Sequence, residues 1–457
     1  MNTIIEKKPD ELFKSLCVLA AQKSWGEARD AAEQLANRGA QGAWLDLAFD
    51  LADGLKSLYQ VTDDLFSLGE RSLSDTEIKT IEYARKWVGT QLNISAPTLI
   101  IEICTEGTPL HAITGINGFG FIAASENALQ DKSLLVHEIT HCSLMSRSLF
   151  LDEGLATLLQ HRFNENEEFL QKQKYWDRPS LAALVETDWS NDPYFSKIIP
   201  TKSDSSDLSD QDLRVHELAA HLIAKIIKEK SLSFLVNNWS SLKSQLREGR
   251  SAVVMKEIFS VDLWKIDTEF FVTKAAIINP PSDRSLTDVS VQVLAEEDKE
   301  TAAIWLPFAR VQAYRNDQGL VALIKLLIVL GNNREDPNAG SVYRSEALVA
   351  IDWSKSRNID QMSIAIFNAY IYVLKLRSAG HAIAMRTNGI EAHKAFRELL
   401  SNYPENPSVI IASARTQIRS IHDFMPISDW REKLKNLHSD PLFSRAVEEL
   451  LAHSRFL

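Results

Sequence analysis

The chain has 457 residues, 45% of them apolar and 24% charged, close to the usage of ordinary globular proteins; a wholly disordered chain, a collagen-like fibre and a disulfide mini-scaffold are excluded. Its 50 basic and 61 acidic residues leave a net charge of -11, and no stretch is dense enough in Lys or Arg to make a nucleic-acid footprint. At roughly 150 residues per domain, the length allows about three domains.

Residues 1–93 read as an N-terminal helical region. Segments such as WGEARDAAEQLANRG and GAWLDLAFDLADGLKSLYQ carry apolar residues at helical spacing, with Gly39, Gly42 and Gly69 as punctuation. The pattern changes after Ala96. PTLIIEICTE is short, apolar and β-branched, and HAITGINGFGFIAAS holds two strand-like runs around a Gly-containing turn, so a small sheet with a hairpin is expected. A helix follows from near Asp131 to near Ser146, apolar on most sides and therefore buried. A second begins near Asp152. Residues 203–212 form a polar acidic loop, and the helix VHELAAHLIAKIIKEK comes after it.

Pro280–Pro281 stops regular structure and sets a boundary. Residues 282–457 read as an all-α domain. Within it, FRELLSNYPENPSVIIASA resembles the junction of a tetratricopeptide-type repeat, although no clean period of about 34 residues runs through the region and ordinary bundles fit it as well. The longest apolar run, Leu320 to Leu330, is broken by Lys325 and is too short to span a bilayer. Cys17, Cys104 and Cys142 are odd in number and form no CxxC, so free thiols in a reducing compartment are expected. The N-terminus has no apolar signal region. Together these point to a cytoplasmic protein with no membrane span.

The chemistry lies in His137–Glu138–Ile139–Thr140–His141, an HExxH motif. On a helix, residues four apart share one face, so both imidazoles reach one ion and Glu138 projects beside them. Zinc suits this ligand type, one ion per chain. By contrast, His216–Glu217–Leu218–Ala219–Ala220–His221 spaces its histidines five apart, off one face, and is a decoy with respect to zinc.

The motif is followed by Phe150–Leu151–Asp152–Glu153–Gly154–Leu155–Ala156. HEITH followed by LDEGLA resembles the gluzincin metallopeptidases, the peptidase-MA-like and aminopeptidase-N-like proteins. The resemblance covers roughly residues 95–275. It implies a zincin-like metallopeptidase domain over 94–278, with Glu153 as third zinc ligand, Glu138 as general base and a peptide or protein as substrate. It also implies a Tyr or His from a later segment as oxyanion donor; His216 is the first choice by order and Tyr194 its rival. The fold expected is α+β, predominantly helical: a zincin-like core with a small sheet between all-α flanks that recruit a protein partner or restrict substrate.

This sequence departs from the family in three ways. Only eleven residues separate His141 from Glu153, a short connection that one more helical turn, a turn near Arg147–Ser148 and a new helix near Asp152 can close. Where thermolysin-like enzymes place an Asp one turn after the ligand Glu, this chain has Thr157. The aminopeptidase GxMEN pattern is also missing, which favours endopeptidase or narrow-specificity action. The alternative reading is a helical interaction protein around an inactive or structural zincin-like core.

Overall fold

A computed structural model describes residues 9–37, 43–104, 111–116, 119–144, 146, 148–165, 178–186, 210–246, 250–274, 279–332, 340–378, 382–419 and 426–453. The protein is predominantly helical with one small sheet, an α+β chain. It groups into two compact units, Met1–Gln173 with Ser196–Ser244, and Lys174–Phe195 with Gln245–Leu457. Neither the boundary expected near residue 93 nor that at Pro280–Pro281 divides these units.

The first unit opens with three helices, α1 (Pro9–Ala21), α2 (Trp25–Asn37) and α3 (Ala43–Ala52). The helical reading of residues 1–93 fails between Ala52 and Asp75. Leu58–Thr62 and Leu65–Leu68 are strands β1 and β2, paired antiparallel. Helix α4 (Asp75–Leu92) follows, opened by a capping box in which Ser74 and Glu77 satisfy each other's backbone N–H. Then come β3 (Thr98–Cys104), β4 (His111–Ile116) and β5 (Phe119–Ser125), as the apolar runs predict. The five strands lie in the order β1-β2-β3-β5-β4. β2, β3 and β5 are mutually parallel neighbours, and β4 forms an antiparallel hairpin with β5.

The alternation of side chains along a strand divides the sheet into two faces. Phe66, Ile100, Phe119, Phe121 and Ala123 join the core formed with α1–α3. There Phe13, Trp44 and Phe119 meet edge to face, with ring centroids 5.0 to 5.7 Å apart. The N-terminal helices therefore cover the sheet and belong to the same unit. The opposite face takes α5 (Lys132–Ser143). A Cβ on Gly120 would overlap the Cys142 side chain, so the glycine in β5 is what lets α5 lie close on the strand. Cys142 is buried as a small core residue, and all three cysteines are free thiols.

After α6 (Leu149–Phe163), the chain supplies the short helix Leu181–Glu186 to the second unit and then returns for α7 (Asp210–Lys230) and α8 (Leu232–Gln245). Of the acidic loop read over 203–212, residues 203–209 lie outside the described residues, as does Tyr194, while residues 210–212 already belong to the first turn of α7. The second unit is all helical among its described residues, with a core running from Val289 to Leu450. The segment before Leu181 is held there by buried polar contacts. Asp267 accepts from the Leu181 amide at 2.8 Å and from Arg178 at 2.6 Å, and Glu346 accepts from the Ser180 amide at 3.2 Å. The proposed repeat junction is a turn between helices Ala382–Asn402 and Pro407–Arg419. No helix among the described residues is long and apolar enough to cross a membrane.

Candidate metal centre

Asp131 caps α5, its carboxylate accepting from the amides of Ser133 and Leu134 at 2.9 and 3.1 Å. From that start the helix runs unbroken through HEITH. His137 and His141 stand one turn apart, their Nε2 atoms 3.2 Å from each other. Both are half-buried.

The short return from His141 to Glu153 is made by a pinned loop. α5 stops at Ser143 and α6 begins at Leu149, capped by Ser148. Asp152, in the first turn of α6, accepts from the Ser146 amide at 2.8 Å and from the Trp239 indole of α8 at 3.1 Å. With Asp152 tied back to the loop and across to α8, the next residue faces α5. Glu153 Oε2 lies 3.2 Å from His137 Nε2, and Oε1 lies 3.5 Å from His141 Nε2.

Those three residues are the group of possible ligands found among the described residues. Their donor–donor distances of 3.2, 3.2 and 3.5 Å match three edges of a tetrahedron around an ion with bonds of about 2.0–2.2 Å, whose edges are about 3.3 Å. The donor set of two imidazoles and one carboxylate also fits zinc.

The orientation of His137 is fixed from behind. Its Nδ1 donates to Gln160 Oε1 at 3.2 Å, and its Nε2 faces Glu153 and His141. Gln160 is held in turn by Ser133, whose hydroxyl accepts from Gln160 Nε2 at 3.2 Å and from Asn164 Nδ2 at 2.8 Å. Gln160 was not singled out from the sequence, which left the supporting partner open at Thr157. The signal was its place seven residues after Glu153, two turns on and on the same helix face.

The charges at the site are tightly linked. Burial alone would push the His141 imidazole down; the Glu153 carboxylate, with Glu138 and Asp152, reverses this and carries it up to about 9. Glu153 is buried too, yet His141 and His216 hold it well below the carboxylate range. Burial raises Asp152 to about 6, against its hydrogen bonds from Ser146 and Trp239. Glu138 is half-buried on α5 beside the ligands.

The structure also brings His216 to this place. Gly154 touches α7 so closely that a Cβ there would lie 2.6 Å from the Ala219 carbonyl carbon and 2.9 Å from its Cβ. One turn before Ala219, His216 Nε2 lies 3.8 Å from Glu153 Oε2, its ring centroid 6.4 Å from that of His137. His216 is not part of the three-ligand group. His221 is tied to the Glu217 carbonyl by its Nδ1, so the two histidines of the decoy motif do not share one site. Comparison with protein-family models, curated proteins and solved structures finds no match.

Proposed function

We propose that this protein is a zinc-dependent metallopeptidase of the gluzincin type, with His137, His141 and Glu153 as ligands and a zincin-like core in the first unit. The observation that supports it most is the set of ligand-atom spacings of 3.2, 3.2 and 3.5 Å across two helices. A zinc ion held there supplies a Lewis acid of net positive charge, which polarises a scissile carbonyl and makes water easier to deprotonate. Glu138 accepts the proton of the attacking water on its carboxylate and passes it to the departing amine nitrogen. His216 offers an N–H donor for the oxygen on which negative charge develops. Gln160 keeps His137 in the tautomer that binds metal through Nε2.

The test is metal analysis together with peptide hydrolysis. One zinc per chain is expected in the wild type, lost or much weakened in Glu153→Ala and His141→Ala. Glu138→Gln is expected to keep the zinc and lose hydrolysis of a peptide library by about 10²–10⁴-fold. A wild-type protein that takes up no zinc when zinc is supplied overturns the proposal. A second reading, a helical interaction protein around a structural zinc site, draws on the all-helical second unit with its own core; it requires Glu138→Gln to leave the native function intact.

A further inference from the structure

The helix Asp317–Gly331 is buried from Gly319 to its end except at two positions, Val321 and Lys325. Four residues apart, these turn to one side of the helix. Both line a cavity of about 380 Å³ in the second unit, near the lower end of the range for small-molecule sites. Gln318 and Asn358 on the lining are exposed, while Ser290 and Ala322 are fully buried. The cavity thus has a solvent-facing rim and a buried floor, with the half-buried Lys325 side chain on its wall.

Lys325 is spent on no structural contact. Among the described residues, its side chain makes no hydrogen bond and no ion pair. Three polar groups of the lining have partners of their own. Asp317 accepts from Arg357 Nε at 2.7 Å, the exposed Asp360 accepts from the Ser363 amide at 2.8 Å, and the Ser290 hydroxyl donates to the Thr287 carbonyl at 2.8 Å. An ammonium in a partly apolar wall, with no acceptor on it, is disfavoured relative to the free amine. Burial accordingly pushes Lys325 down to about 8, the Asp360 charge acting against that. About a tenth of it then carries a free lone pair near pH 7.

The other charged groups on the lining, Asp317 and Asp360, are both carboxylates, so an anion is repelled there. A neutral electrophile is not. From an unpaired amine on the wall of an open cavity, we propose that Lys325 is a covalent modification site that takes small uncharged aldehydes as an imine. Nζ attacks the carbonyl carbon, and the C–N bond forms as the carbonyl π pair moves onto oxygen. A proton passes from nitrogen to that oxygen, giving the carbinolamine. The C–O bond then breaks as the C=N bond forms, and the hydroxyl leaves as water with the remaining N–H proton. Nothing is oxidised or reduced. Val321 and Ala322 offer apolar surface to a short alkyl chain. This site stands apart from the hydrolase reading and does not depend on it.

The experiment is reductive trapping on the full chain near neutral pH. Propanal is supplied with cyanoborohydride, which delivers hydride to the protonated imine and fixes it as a propyl amine, and peptide mass mapping follows every lysine. Lys325 is expected to be labelled at least about 10-fold faster than the median lysine of the folded chain. In urea, where the cavity is gone, that preference is expected to vanish. With glyoxylate, an aldehyde that carries a carboxylate, the preference is expected to fall several-fold. The other lysines serve as an internal reference, which cancels the intrinsic reactivity of each reagent. Labelling of Lys325 no faster than the median lysine overturns the proposal. So does a preference that persists in urea, because the cavity is then not its cause. An equal preference with glyoxylate overturns the assignment to uncharged aldehydes. The wild-type chain carries the whole test, so no variant has to fold.

Discussion

Gly154 and Ala219 are packed so closely that no side chain fits between their backbones, and a Cβ on Gly154 would lie 2.7 Å from the Ala219 carbonyl oxygen. The contact joins α6, which carries Glu153, to α7, which carries His216. The glycine after Glu153 is thus a distance setting: it decides how near His216 comes to the carboxylate. Gly154→Ala is expected to force the helices apart and to lower stability by about 1–3 kcal/mol, the usual cost of overpacking. Urea unfolding measures the first effect. Zinc affinity should hold better than hydrolysis, because His137, His141 and Glu153 sit on the near side of the contact and His216 on the far side.

Gln160 supports His137 from the ring nitrogen that faces away from Glu153 and His141. Gln160→Leu keeps the volume and removes the acceptor of the Nδ1–H. Zinc affinity is expected to fall by about 10–100-fold while circular dichroism is unchanged. Competition against a chromophoric chelator reads it directly. Gln160→Glu keeps an acceptor and should retain most of the affinity; if both variants bind zinc like the wild type, Gln160 does not set the tautomer.

The protonation of His141 gives a pH signature to the metal-free protein. Its folded value of about 9 stands above the ordinary 6.5. A raised value means that the contribution to stability is complete below 6.5 and is lost as the pH rises through 9. The urea midpoint of the metal-free chain should therefore fall between pH 6.5 and 9, and His141→Leu should flatten that part of the profile. Zinc must displace the same proton, so binding at neutral pH should release about one proton from this residue. Calorimetry in buffers of different ionisation enthalpy counts it.

The second unit carries a buried ion pair of its own. Arg310 donates to Glu346 in a fork, at 3.0 and 2.7 Å, and both side chains are almost wholly buried. Removing one partner strands the other charge, so Glu346→Ala should cost about 3–5 kcal/mol. Replacing both residues by apolar side chains of similar volume should cost much less. Guanidinium unfolding of the single and double variants checks the difference.

Much of the candidate site is legible in the sequence because its signals are local. HEITH is a one-helix pattern and its apolar flanks mark that helix as buried, whereas Glu153 is picked out by the resemblance of LDEGLA to the gluzincin pattern. The hairpin β4–β5 is announced by its glycines. What escapes is whatever depends on distant partners. β1 and β2 are only 5 and 4 residues long, too short for alternation to compete with the helical spacing that precedes them. The attachment of Arg178–Leu181 to the second unit rests on Asp267 and Glu346, 86 to 166 residues away, and no local pattern encodes that. Gln160 looks like an ordinary helix-surface residue until His137 is placed opposite it.

The first unit is not continuous in the chain: it leaves at Gln173 and resumes at Ser196. That has a consequence for biosynthesis. A nascent chain that has emerged as far as α6 already holds His137, His141 and Glu153, yet lacks the Trp239 indole that anchors Asp152 and the α7 backbone that packs on Gly154. At roughly 5–20 residues per second, those parts follow seconds later. Any ion captured before then meets an open half-site, and the pocket gains its far wall only when translation has passed Gln245.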